Sequence, residues 1–343
     1  MKKSTILALV ALLLISCGKS NERLLTSATG SIYECLIVGN NGAVRESVAQ
    51  TMGGDMYGLP QMESYFTVTQ VTMNQFDDLF KSTRNILLLD VNPQKYTHMK
   101  LIKGRDMWSK PQAVIRIQAP SDEALAEFWT ANGEAVRDWF VREELARQIR
   151  FYRANTNKEA RALLKKQGYD MLIPEDFILI ESKKLKVESL ELNGDSVDVV
   201  WCCNNKGPMR KDVVVYSYPY TAQEQFSNES IIAMRNAVLG QIVSAQVEGS
   251  HMGTEFKHFP PVSRNVPALR DTVGGFYGVE TRGLWKILDG EAMGGPFVSL
   301  TRLDQVNGRV VTAEAFLFAA GQKKRNAMRQ LEAILYTLEM PQD

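Results

Sequence analysis

His251, Glu255 and His258 fall within eight residues in "HMGTEFKH". Two histidines and a carboxylate suit zinc with one position left open, the arrangement that activates water for hydrolysis. The Glu-x-x-His spacing would bring Glu255 and His258 onto one helix face. Gly253 and the following Pro260-Pro261 pair work against a helix here. The segment is also not an HExxH motif. We therefore expect a surface loop with no metal assigned. A metal-dependent or other hydrolase built on these three residues is the alternative function.

Nucleophilic chemistry finds less support. Ser250 stands beside His251, and Ser299 lies in "GGPFVS", but a serine needs a base within hydrogen-bond reach and there is no GxSxG elbow. The third histidine, His98 in "KYTHMK", is isolated and reads as a loop residue. Cys203, in the strand-like "VDVVWCCNN", would be oxidised as a free thiol outside the cytoplasm. "GNNGAVRES" lacks both GxGxxG and GxxxxGK[ST], so it reads as a turn rather than a phosphate loop. No catalytic residue and no cofactor is expected.

A recognition surface is better represented. Arg282 and Trp285 precede a turn that carries Gly294, Gly295 and Pro296. Tryptophan and arginine are the residues that most often dominate interfaces. The structural alternative has Trp285 filling the core and Arg282 paired with Glu280 or Asp289. Gly294-Gly295 then serves a tight turn.

The N-terminus explains where such a surface would be displayed. Lys2 and Lys3 precede an apolar run from Ile6 to Ile15, about half of what a bilayer span needs. A basic start, a short apolar core and a small residue before a cut form a secretory signal. Leu14-Ile15-Ser16-Cys17 resembles the lipobox of bacterial lipoproteins, which implies cleavage before Cys17 and acylation of that residue. Each buried CH₂ contributes about 0.8 kcal/mol, so several chains on Cys17 would hold the protein on a membrane. Residues 1–16 are expected to be the signal and 17–30 a lipidated tether. Gly18 and the absence of an acidic cluster after it favour the periplasmic face of the outer membrane.

Lys plus Arg number 40 against 39 Asp plus Glu, so the chain lacks the basic excess that a nucleic-acid partner demands. Partners are expected to be the membrane, through Cys17, and an envelope protein or glycan. Of the four cysteines, Cys35, Cys202 and Cys203 remain once Cys17 is set aside. They read as buried thiols in preference to a disulfide.

The elements that must position these residues form two outlines of the same kind. "SIYECLIVG", "LPQMESYFTVTQVT", "RNILLLDVN" and "PQAVIRIQA" read as strands, with a helix over "AVRESVAQTM" stopped by Gly53-Gly54 and a short one over "MNQFDDLFK". Ser121 caps a long helix with Leu125, Phe128, Trp129, Val136, Trp139 and Phe140 facing the core. Its "REELARQIR" end is expected to be solvated, and "KEARALLKKQ" forms a further helix. Strands over "FILIES", "VDVVWCC", "DVVVYSYPY", "RGLWKIL", "PFVSLTRL" and "RVVTAEAFLF" follow. Asn228 caps a helix among them, and a last helix presents Met328, Leu331, Ile334, Leu335 and Leu338. We expect an α+β protein of two tandem units, 31–169 and 170–343, each an antiparallel or mixed sheet with helices packed on one face.

"LPQMESYF", "RNILLLDVNPQ", "TRGLWKI", "MGGPFVS" and "KKRNAMRQLEAIL", in this order, resemble an uncharacterised lipoprotein family of Bacteroidota classified only as a domain of unknown function. That resemblance implies source and localisation, and carries no catalytic residues with it.

Overall fold

The computed structural model describes residues 25–40, 42–59, 62–187, 196–266 and 278–340. Cys17, the signal segment and most of the tether lie outside the described residues. The fold is α+β. A short parallel pair, β1 (Thr26–Ser27) with β6 (Ser109–Lys110), flanks the first sheet. That sheet runs in the order β3-β2-β4-β7-β5: β2 is Glu34–Val38, β3 Thr67–Val71, β4 Asn85–Val91, β5 Lys100–Arg105 and β7 Ala113–Ala119. Four of its strands are parallel and only β5 is antiparallel.

Parallel strands are covered on both faces, which explains the unbroken apolar runs of β2, β4 and β7. Cys35, Ile37, Leu87, Leu89, Ile115 and Ile117 pack under α1 (Ala43–Met52) and α3 (Asp122–Ala154). Leu36, Val38, Ile86, Leu88 and Val114 meet Phe76, Phe80 and Trp108 on the other face, where α2 (Asp78–Lys81) lies.

The second sheet is antiparallel, ordered β11-β13-β14-β15-β10-β9-β8, with β12 also paired to β13. Its strands are β8 Ile178–Lys186, β9 Ser196–Asn204, β10 Arg210–Pro219, β11 His251–Glu255, β12 Val262–Val266, β13 Gly278–Leu288, β14 Gly294–Asp304 and β15 Arg309–Phe318. Helix α4 (Lys158–Lys166) contacts β8 and β9. Helix α5 (Asn228–Ile242) covers one face, and α6 (Arg325–Leu335) together with α3 covers the other. The large sheet is thus clad on both faces, one layer more than the single-sided cover expected, and its central strands are buried almost throughout. Ser227, one residue before the expected Asn228, caps α5 by accepting the Ser230 N–H.

One apolar core joins both sheets. Leu145, Ile149 and Tyr152 of α3 pack with Met328, Leu331 and Ile334 of α6 and with strand residues of both units. The Glu63 carboxylate caps α6 by accepting the Lys324 and Arg325 backbone N–H groups, both at 2.6 Å. No helix among the described residues is long and apolar enough to cross a membrane.

The "REELARQIR" end of α3 is not solvated as expected. Glu143, Glu144 and Arg147 are buried. Arg84 grips Glu144 through Nε and Nη2 at 2.9 and 2.7 Å, and Asn85 and Arg147 complete that carboxylate's partners. A charged residue tolerates burial when its lone pairs and protons are all taken up, as they are at Glu144.

Candidate functional site

Alternation along β13 sends Glu280 and Arg282 to the α6 face of the large sheet and Trp285 to the α5 face. On α6, Arg329 and Glu332 are one turn apart, with Tyr336 one turn further on. These elements, with β12, α3 and the segments 56–59 and 62–65, line a cavity of about 390 Å³ walled by Arg137, Arg142, Arg264, Arg282 and Arg329. Glu134, Asp138, Glu332, Asn265, Tyr57, Tyr65 and Tyr336 complete its polar lining.

The ions inside are linked in series. Glu280 Oε1 accepts from Arg282 Nε and Arg264 Nε, each at 2.9 Å, and Oε2 accepts the Tyr336 hydroxyl at 2.6 Å. Glu332 accepts from Arg282 Nη2 and, at 2.8 Å, from Arg329 Nη1. Burial would raise the Glu280 carboxyl, but Arg282 and Arg264 beside it hold it well below the ordinary carboxylate range. Burial and the neighbouring carboxylates raise the Tyr336 hydroxyl, which stays a donor. The rings of Tyr33 and Tyr65 lie 5.4 and 5.3 Å from the Arg329 guanidinium, and Arg137 stacks on Tyr65 at 4.1 Å.

Two of these arginines are incompletely used. Arg282 and Arg329 are 2% and 5% exposed. Yet Arg282 Nη1 and Arg329 Nε and Nη2 have no hydrogen-bond partner among the described residues. Nε and Nη2 form the guanidinium edge that takes an oxyanion bidentately. At Arg84 and Arg161 that edge is filled from within, by Glu144 and Asp170, whereas Arg45 Nε and Arg309 Nη2 are each a single nitrogen of it without a partner among the described residues. At Arg329 it is bare. The segment over the pocket is fitted closely to it: Gly58 has φ +70°, and a Cβ there would come within 2.5 Å of the Arg282 Cδ.

The expected recognition surface is not brought together. Arg282 is buried in the ion series, paired with Glu280. Trp285, 4% exposed, lies on the opposite face of the sheet and donates to the Leu317 carbonyl at 3.1 Å. Gly294, Gly295 and Pro296 begin β14, and a Cβ on Gly295 would meet the Leu317 carbonyl oxygen at 2.0 Å. The glycine there serves strand packing. Trp285 lines a second cavity of about 200 Å³ with Trp201, Met252, Met293, Phe316 and Phe318, on the α5 side.

The metal reading fails on geometry. His251 and Glu255 are the two ends of β11, a strand where a loop was expected, so their Cα atoms are about 13 Å apart. Glu255 is already committed: it accepts from Lys286 Nζ at 2.9 Å and from the backbone N–H groups of Lys257 and His258. No metal-ligating group of three exists among the described residues. Ser250 closes a turn onto the Val247 carbonyl, and Ser299 is buried within the sheet. Cys35, Cys202 and Cys203 are all buried and free, and burial pushes the Cys202 thiol up to about 12. Such thiols are inert.

Sequence reading missed Arg329, Glu332, Tyr336 and Arg264. The only local signal was the spacing of the first three on α6, along the flank of an apolar stripe that already explained the helix.

Residues 155–337 match the family model described as "Domain of unknown function (DUF4837)", and residues 28–153 match "Domain of unknown function (DUF8532)". Among curated proteins, none matches the chain. Among solved structures, cyanobacterial PsbP (CyanoP) from Synechocystis sp. PCC 6803 is similar at 10% identity with a TM-score of 0.31, over 54% of this chain and 90% of that one.

Proposed function

The chain belongs to the DUF4837 family, and we propose that it is a non-enzymatic binding protein of the cell envelope that takes an anionic ligand in the arginine pocket. The bare Nε/Nη2 edge of Arg329 carries this reading. A buried guanidinium is costly to hold, and leaving its donors unmet costs about 1–3 kcal/mol or more for a charged group. A ligand oxyanion would meet them. The five arginines and three tyrosines of its lining are hydrogen-bond donors suited to holding an anion.

The anchor belongs to the same proposal. The apolar run ending at Ser16-Cys17 supports a lipid on Cys17, outer-membrane residence and a pocket that faces the periplasm. Labelled palmitate should enter the wild-type chain and not Cys17→Ala, which should leave the membrane fraction.

Thermal denaturation against a panel of anions tests the site. A ligand at 100 times its Kd adds about 2.7 kcal/mol of stability. At least one anion should raise Tm in the wild type and leave Arg329→Gln unmoved. A panel without effect, or one that shifts both proteins equally, removes the pocket as the binding site.

A further inference from the structure

Resting on that reading, we propose that the pocket's ligand is a phosphate monoester bound as its dianion. The first ground is charge. Arg137, Arg142, Arg264, Arg282 and Arg329 line the pocket, and Arg302 lies on the same sheet face, against Glu134, Asp138, Glu332 and the ion-paired Glu280. Arg302, 4% exposed, stands behind the pocket with Nη1 on the Leu338 carbonyl and Nε without a partner among the described residues. Burial lowers its pKa, and no carboxylate offsets that. Six positive charges on four negative ones leave an excess of two. A monocarboxylate would neutralise half of it, and a phosphate monoester above its second pKa of about 6 nearly all.

The second ground is the shape of the donor set. Three guanidinium nitrogens are bare on the lining arginines: Arg329 Nε, Arg329 Nη2 and Arg282 Nη1. A carboxylate filling the Arg329 edge uses both its oxygens, as Glu144 does on Arg84. A phosphoryl group fills the same edge with two oxygens and has a third for Arg282. The third ground is room. A cavity of about 390 Å³ falls within the range of small-molecule sites and exceeds what a bare phosphate occupies. Tyr57, half-exposed, and Tyr65 supply ring surface for the esterified group. That group belongs either to a soluble ester or to a phosphorylated lipid at the membrane surface.

Calorimetric titration of the secreted Cys17→Ala chain separates the possibilities. Phenyl phosphate should bind at pH 7.5 and lose about tenfold in affinity at pH 5.0, where only about a tenth of it is dianionic. Benzoate, ionised at both values, controls for changes in the protein. The other titratable groups facing the ligand are Glu134 and Asp138 from α3, Glu280 from β13 and Glu332 from α6, and any effect of theirs would move benzoate too. Arg329→Lys keeps the charge and loses the fork. It should melt within a few degrees of its parent and bind phenyl phosphate at least tenfold more weakly.

Benzoate binding as tightly as phenyl phosphate, with no fall at pH 5.0, would overturn the phosphate assignment and leave the anion pocket standing. Silence from both, and from inorganic phosphate, would overturn the two together. Vesicles of phosphatidylcholine with and without phosphatidic acid identify the source. Binding only to the phosphatidic acid vesicles, with phenyl phosphate a weak competitor, assigns the site to a lipid headgroup. Phenyl phosphate binding without vesicle binding assigns it to a soluble ester.

Discussion

The two faces of the large sheet each bury arginine, and they treat it differently. On the α5 face Arg235 is fully enclosed and fully used. It pairs with Glu314 at 2.9 Å, donates to Thr254 Oγ1, Asn236 Oδ1 and the Gly253 carbonyl, and lies 4.0 Å over the Phe297 ring. On the α6 face Arg282, Arg302 and Arg329 are as deeply buried, yet each keeps at least one bare donor. Both faces have access to the same residue types, so the chain can satisfy a buried guanidinium when structure alone is at stake. Two unsatisfied ones lining a cavity, with Arg302 on the same sheet face, mark a place where satisfaction comes from outside.

The largest expected effect breaks the Arg235–Glu314 pair of the α5 face. Arg235→Ala strands Glu314 in the core, and removing one partner of a buried pair costs about 3–5 kcal/mol. Urea denaturation should show that loss. A change below about 1 kcal/mol would mean the α5 face holds its ions no more tightly than the pocket does.

The next effect sharpens the contrast through pH. Burial raises the Glu314 carboxyl from 4.5 to about 7, against the pull of Arg235. The folded protein therefore holds that proton more tightly than the unfolded chain. The stability it lends is complete below about 4.5 and lost as pH rises to about 7, on the order of 3 kcal/mol. Glu280, whose pKa is depressed, acts oppositely: its contribution is present above 4.5 and lost as pH falls below it. Glu314→Gln should flatten the upper arm of the stability profile and spare the lower. If both arms survive in Glu314→Gln, the upper one reports another group.

Smaller still is Gly58→Ala. Left-handed backbone and the close approach to Arg282 should cost about 1–3 kcal/mol. Anion affinity should fall with it, as read by the titration above. The smallest stability effect is expected at Arg329→Gln, within about 1 kcal/mol of wild type or above it. Glu332 keeps Arg282, and the bare donors that burden the folded state are gone. A loss matching that of Arg235→Ala would erase the distinction between the faces.

The strands of the central layers were legible because they are nearly all apolar, as "ILLLDV" and "VVVYSY" show. The edge strand β5, "KLIKGR", was not, since an exposed edge has no core-facing pattern to announce it. β11 reads as a loop in the sequence because its strand partner among the described residues is β13, which lies 23 residues or more along the chain. At the site, Arg282 and its pairing with Glu280 could be read two residues apart. Its bond to Glu332 joins positions fifty residues apart, on a strand and a helix that nothing local relates. Helix α6 was read by its apolar stripe, which is correct and sufficient for folding. The charged flank that builds the pocket needed the third dimension.

The core that joins the two units also orders events during synthesis. Leu145, Ile149 and Tyr152 of α3 are covered by residues 327–340, the end of the described chain. At about 5–20 residues per second, a ribosome takes about 10–35 s to travel from Ala154 to Arg325. Over that interval the part of the α3 face that α6 covers in the folded protein is without that cover, and the docking of α6 closes the core last.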